Sequence, residues 1–161
     1  MKQLKYYSKW FNPTYRTSGA AGVDLSVNTW ADMEAYDQNN IPRTIERNEH
    51  VLIPAGWRVK IGTGFFTELP AGAKSLVALR SSAGWKKGLI MPNAPALIDA
   101  DYRGEWFIVL YNPLSVPISI QHGERIAQTV FDERYEWLAV NSPTDLEATE
   151  RGEGGFGSTG K

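Results

Sequence analysis

The chain has 161 residues, 42% of them hydrophobic and 22% charged, with a formal net charge of −1. That describes one domain with a moderate core, and it excludes an overall basic field that would gather nucleic acid or an anionic membrane. There is no cysteine, which excludes disulfides, thiolate catalysis and thiolate metal sites, and His50 and His122 lack the spacing of a zinc pair.

The N-terminal stretch MKQLKYYSKW has no apolar core of the signal-peptide kind, and no apolar run approaches about 18 residues. The expectation is a soluble, intracellular, single-domain protein. Gly22–Val27 (GVDLSV) alternates apolar and polar residues and predicts a strand with Asp24 inside it. Thr29–Asn40 (TWADMEAYDQNN) reads as one short helix or an excursion loop. His50–Gly72 reads as strand, Pro-Ala-Gly turn, strand and a second Pro-Ala-Gly turn. Lys74–Ser82 (KSLVALRSS) is a further strand with a polar end, and a turn of helix is expected after Ser82, weakened by Gly84. Trp106–Asn112 (WFIVLYN) is apolar almost throughout, as a strand buried on both faces would be. Val116–Ile120 (VPISI) and Arg125–Phe131 (RIAQTVF) are short and β-branched. Strand signals recurring every 8–12 residues or so predict an all-β sandwich or barrel. From Asn141 the alternation stops, and composition alone reads as a disordered tail.

Several stretches have the makings of a site. In Asn93–Trp106 (NAPALIDADYRGEW), which reads as a hairpin, Asp99 and Asp101 flank Ala100. Residues i and i+2 of a strand share a face, so the pair suits a metal or a general base; the other reading is turn chemistry. Arg80-Ser81-Ser82 at a strand end combines a bidentate cation with two hydroxyls, which suits a phosphate; the alternative is an exposed arginine and a helix cap. In His122–Gln128 a turn enters a strand, with Glu124 and Arg125 expected to pair locally and Gln128 to face a cleft. Asp24 by itself reads as an edge or turn carboxylate. The ending RGEGGFGSTGK lacks the Gly-Lys-Ser/Thr of a Walker loop. One ring on a glycine-rich string instead suits a lid that closes on a ligand.

AGVDLSV, RSSAG, NAPALIDADYRGE, GERIAQ and RGEGGFGSTG occur in that order. Together they resemble the five motifs of the homotrimeric deoxyuridine triphosphatases (dUTPases), over nearly the whole chain from about Tyr15. The resemblance implies a distorted jelly-roll β-barrel at 1–140. It also implies a flexible glycine-rich arm at 141–161 that closes the active site of a neighbouring subunit. The implied reaction is dUTP plus water to dUMP and pyrophosphate, with Mg2+ held by the triphosphate and waters rather than directly by protein. Asp99 would activate the water, and Asp101 would stabilise the hairpin. Asn93 and the backbone of Leu97, Ile98 and Phe107 would hold uracil, and Tyr102 would lie under the deoxyribose and exclude a 2′-hydroxyl. Arg80, Ser81, Ser82 and Gln128 would contact phosphates, and Asp24 would stand near the metal's water shell. Arg151, Phe156, Gly157, Ser158 and Thr159 would form the closing arm, with Phe156 stacked on uracil. The partners implied are dUTP and two further copies of the chain, in the cytoplasm (the host's, for a viral gene).

The chain departs from the pattern in places. Ala96 stands where the family has glycine, and a positive φ there would strain it. RSSAG replaces the commoner Arg-Ser-Gly-Leu-Ala. About 20 residues, 28–47, are extra, a surface loop or short helix and the place to look for a protein partner. Two alternatives share the fold. A dCTP deaminase needs a glutamate where Val109 stands, and a regulatory binding protein would not need the catalytic positions, all of which are filled here.

Overall fold

Short strands carry nearly all of the regular structure in the computed structural model, which describes residues 2–157. In chain order they are β1 (Lys2–Ser8), β2 (Gly22–Ser26), β3 (Met33–Tyr36), β4 (Pro42–Ile45), β5 (His50–Ile53), β6 (Arg58–Gly62), β7 (Phe65–Glu68) and β8 (Lys74–Leu79). Then come a five-residue helix α1 (Ser81–Trp85), β9 (Ala96–Asp99), β10 (Phe107–Tyr111), β11 (Ile118–Gln121), β12 (Arg125–Phe131) and β13 (Tyr135–Ala139). The strands form four sheets, ordered β13-β1-β7, β10-β6-β3-β4, β11-β5 and β2-β12-β8-β9. They wrap one core in a distorted jelly-roll barrel. Period-two burial makes this possible: β3, β5, β6 and β10 each turn alternate residues inward. Trp106, Phe65, Leu4, Ile61 and Leu110 are among the fully buried side chains. Each stabilises by about 1.5–3 kcal/mol relative to exposure.

The two Pro-Ala-Gly turns form as read. Trp57 N–H donates to Pro54 C=O at 3.2 Å and Ala73 N–H to Pro70 C=O at 2.9 Å. Gly56 and Gly72 take φ of 73° and 81°, values a side chain would resist. Helix α1 starts at Ser81, two residues before the expected place.

Other expectations are corrected. Residues 29–40 are neither helix nor plain loop. Met33 and Ala35 face the core, so β3 pairs with β6 and, through a turn, with β4. The Asp37 carboxylate closes that turn by accepting from the N–H groups of Asn39 and Ile41 and from Arg43. Pro42 is tolerated because β4 is an edge strand. Strand β10 buries one face only; Phe107, Val109 and Tyr111 are half-buried on the other. The expected hairpin at 93–106 is not one ladder, because β9 pairs with β8 while β10 pairs with β6. The N-terminal stretch, unread as structure, is the centre of a sheet, with β13 parallel on one side and β7 antiparallel on the other. The tail is not featureless: Ser142 and Asp145 cap a single 3-10 turn at Pro143–Asp145, and Leu146 is buried.

Gly64 offers a test of the packing. Its φ is 66°, and an added Cβ would lie 2.6 Å from Cδ1 of Trp10. Gly64→Ala is therefore expected to lose about 2–4 kcal/mol and roughly 5–10 °C in Tm. Gly19→Ala, where a Cβ meets nothing within 4 Å, should leave Tm in place. Equal melting curves for the two variants would contradict the packing described.

Candidate active site

Asp24 lies mid-strand on β2 with its carboxylate only 14% exposed, directly opposite Gln128 of β12. Three arginines converge on it. Arg80 Nε is 2.9 Å from Oδ1, Arg125 Nη1 is 3.0 Å from Oδ2, and Arg16 Nε is 3.8 Å from Oδ2. Arg80 also donates to the Arg125 carbonyl at 3.2 Å. These groups, with Ser81, line an open cleft of about 810 Å³. Three cations against one anion leave a net positive site, suited to a ligand with several negative charges.

The sequence reading missed Arg16 and Arg125. It expected Glu124 to pair with Arg125, but Glu124 pairs with Lys87 at 2.7 Å. The reason is a bulge. Ile126 and Ala127 are both buried and the β12–β2 register shifts between Arg125 and Ala127. A strict period of two would turn Arg125 inward; the extra residue turns it to the cleft, beside Gln128. Ser82 is not in this cleft. It faces a neighbouring hollow with Lys86, Lys87 and Glu124.

A second cavity, of about 310 Å³, is lined by Asn93, Leu97, Ile98, Tyr102, Phe107, Arg151 and Phe156, among others. Strand β9 is the edge of its sheet. Alternate residues of an edge strand turn N–H and C=O away from the paired neighbour, free to meet a ligand. Tyr102 is buried, and its hydroxyl donates to the Glu105 carbonyl at 2.7 Å. Burial pushes its pKa up, as do the charges of Glu105 and Glu153. Gly104 makes room for it: a Cβ there would come 2.5 Å from the Tyr102 hydroxyl. Ala96 carries no strain, because among the described residues only Asn40 and Phe156 combine a side chain with positive φ.

Asp99 closes strand β9 and Asp101 follows in a turn, yet one cation joins them. Arg151 Nη1 binds the Asp99 carboxylate and lies 3.2 Å from Asp101 Oδ1. The hydrogen bond to Asp99, then the charges of both aspartates, raise the Arg151 pKa against the opposing effect of burial. The same guanidinium lies 5.5 Å over the Tyr102 ring. Arm and body are joined further by Arg103 N–H to the Gly152 carbonyl at 2.8 Å and by Thr149 Oγ1 to the Asp101 carbonyl at 2.5 Å. Phe156 meets Phe107 edge-on at 6.1 Å, and Lys60 Nζ stands 5.0 and 5.1 Å from those two rings. Gly157 follows with φ of 98°. Ser158 and Thr159 lie outside the described residues.

The expected site residues thus fall into two groups in the single chain. Arg80, Ser81, Gln128 and Asp24 share the cationic cleft. Asn93, Leu97, Ile98, Tyr102, Phe107, Arg151 and Phe156 share the smaller cavity, with Asp99 beside it. Among the described residues no three His, Asp or Glu side chains are grouped to hold a metal ion.

The dUTPase family model matches residues 44–160. A deoxyuridine 5′-triphosphate nucleotidohydrolase from Desulfotalea psychrophila is 43% identical over 150 residues, 92% of this chain and 86% of that protein. The crystal structure of dUTPase from Streptococcus mutans superposes with a TM-score of 0.61 at 24% identity, covering 88% of this chain and all of that one. A dUTPase mutant from Staphylococcus bacteriophage 80alpha, solved with dUpNHpp, gives 0.59 at 22% identity and covers both chains fully. These two likenesses concern the fold.

Proposed function

The chain belongs to the dUTPase family and is a dUTP diphosphatase, and from that premise we propose how its two cavities carry out the reaction. Uracil enters the smaller cavity, where the free edge of β9 at Leu97 and Ile98, with Asn93, reads its polar edge. Tyr102 lies under the sugar, where its ring leaves no room for a 2′-hydroxyl. The triphosphate is held by Arg80, Ser81 and Gln128. Asp99 takes a proton from water as the water oxygen bonds to the α-phosphorus. The bond from that phosphorus to the bridging oxygen breaks, and pyrophosphate leaves with the electron pair. Phe156 stacks on the base, and Arg151 moves from Asp99 to the phosphates. Ser158 and Thr159 belong to this closing segment by sequence.

The observation that carries this reading is the division of the site. The uracil residues line one cavity, with Asp99 beside it, and the phosphate cations line another, so in this reading a complete site needs a second chain. A homotrimer supplies three such sites, and in it the arm crosses to a neighbour, replacing the contacts it makes on its own body. Mg2+ would be held by the triphosphate and waters rather than by protein side chains, and would supply charge neutralisation of the triphosphate. The described residues form no metal cluster, and the oxygens of Asp24 are engaged by arginines. Asp24 therefore acts here by holding Arg80 and Arg125 in place rather than by meeting the metal's water. The same reading places the enzyme in the cytoplasm, limiting uracil in DNA and supplying dUMP.

Pyrophosphate release measured with dUTP, dTTP, dCTP and UTP tests the proposal. Release from dUTP alone is expected, lost on chelation of magnesium and restored by adding it back. Comparable turnover of UTP or dTTP would overturn the pocket assignment, and ammonia from dCTP would overturn the reaction. Strand β10, FIVLY, has no carboxylate to support the latter.

A further inference from the structure

Between β1 and β2 the chain runs without regular structure, and Arg16 sits in that loop. The loop is nonetheless held. Arg134, from the turn between β12 and β13, donates to the Ser18 carbonyl at 2.7 Å and lies 4.1 Å over the ring of Tyr15. Ala20 N–H closes a turn onto the Thr17 carbonyl at 3.1 Å. The residues on both sides of Arg16 are thus held, while its own side chain is 60% exposed and reaches Asp24 only at 3.8 Å.

The other two arginines on Asp24 are better seated. Arg80 has Oδ1 at 2.9 Å and Arg125 has Oδ2 at 3.0 Å. Each oxygen of Asp24 already has a nearer arginine, and Arg16, at 3.8 Å, is beyond hydrogen-bond distance, so it is the most loosely held of the three cations. It stands at the rim of the cleft, whose lining, among the described residues, holds Arg16, Arg80 and Arg125 against Asp24 as the one acidic side chain.

We propose that Arg16 is a substrate-binding residue that grips the outer phosphates of the triphosphate and so favours a polyphosphate over a monophosphate. This rests on the phosphate site assigned above to the same cleft. Arg80 and Arg125, tied to Asp24, set the inner part of the anion site. Arg16 leaves its loose contact with Asp24 and forms charge-assisted hydrogen bonds to the β- and γ-phosphoryl oxygens, which the rim position presents to it. An exchange between two anionic partners costs this arginine little, because its present contact is long and exposed to solvent.

The test compares the full-length protein with Arg16→Ala and Arg16→Lys by calorimetric titration of inorganic pyrophosphate and of dUMP. In the alanine variant the pyrophosphate Kd should rise about 5- to 20-fold, the scale of one partly exposed charge-assisted contact. The dUMP Kd should stay within about twofold, and lysine should restore part of the loss. The KM for dUTP should rise with the pyrophosphate Kd while kcat holds. Equal Tm values check that the loop is intact. Unchanged pyrophosphate affinity, no measurable pyrophosphate binding by the unaltered protein, or equal weakening of dUMP would overturn the proposal. Absence of dUTP hydrolysis by the unaltered protein would instead strike the reaction, and the pyrophosphate comparison would still decide Arg16.

Discussion

Asp99→Asn should lower kcat for dUTP by about 10²–10⁴-fold, the scale of a lost general base, while the KM for dUTP stays within a few-fold. Asparagine keeps the shape and an oxygen that accepts from Arg151, but it cannot take a proton from water. The proposal assigns substrate binding to other groups: the edge of β9, Tyr102 and the cations around Asp24. The unliganded chain adds a condition, because Arg151 occupies the Asp99 carboxylate. For Asp99 to act, the guanidinium has to leave, and the incoming triphosphate is the stronger anion to draw it away. Single-turnover release of pyrophosphate, read beside the Kd of a non-hydrolysable dUTP analogue, separates the two effects. A variant that turns over within tenfold of the unaltered protein would remove Asp99 from its role. Asp101→Asn is the natural comparison: its carboxylate also meets Arg151, but the proposal gives it no proton to carry, and a loss below about tenfold is expected.

The second large effect concerns the arm. Ending the chain after Leu146 removes Arg151, Phe156 and the Ser158-Thr159 pair together. Turnover should fall roughly 10²–10³-fold, the scale of lost positioning and lost charge stabilisation in a closed site. Stability should change little, because Leu146 is kept and the contacts removed are mainly polar and partly exposed. A truncated protein with near-normal turnover would show that closure is unnecessary. The same variant also asks whose arm closes which site. Co-expressed with Asp99→Asn chains, truncated chains contribute intact Asp99 and the partners contribute intact arms. If the protein is the proposed trimer and the arm crosses between subunits, mixed assemblies recover part of the activity. If it serves its own chain, as the contacts of Arg151 with Asp99 and of Phe156 with Phe107 in the single chain would have it, no mixed site is complete and nothing is recovered.

Much of the barrel was legible because its signals are local. The strand at Arg58–Gly62 alternates within five residues, and the turns at Gly56 and Gly72 need only a proline and a residue free to take positive φ. The short hairpin from Met33 to Ile45 was misread for a related reason. Its strands have four residues each, too few for a period to stand out, and its Asp-Gln-Asn-Asn turn resembles loop composition. What shows it is a strand is the neighbour it pairs with, β6, and that neighbour is distant in the chain. Strand β1 was missed in the same way: Lys2–Ser8 is an ordinary polar stretch until β7 and β13 take its two edges.

The site divides likewise. The five motifs and their order mark Asp24, Arg80, Asp99, Gln128 and Phe156 in one dimension, and the family follows from them. They do not contain the meeting of Arg16, Arg80 and Arg125 on one carboxylate, where Asp24 and Arg125 lie 101 positions apart and a bulge decides which way Arg125 points. Nor do they contain the parting of Ser81 from Ser82, or the separation of the smaller cavity from the cationic cleft within a single chain. Residue type, turn chemistry and short-range alternation act over a few bonds and can be read directly. Which edges pair, which charges converge and which residues share a cavity depend on distant segments burying one another, and only the folded chain brings those together.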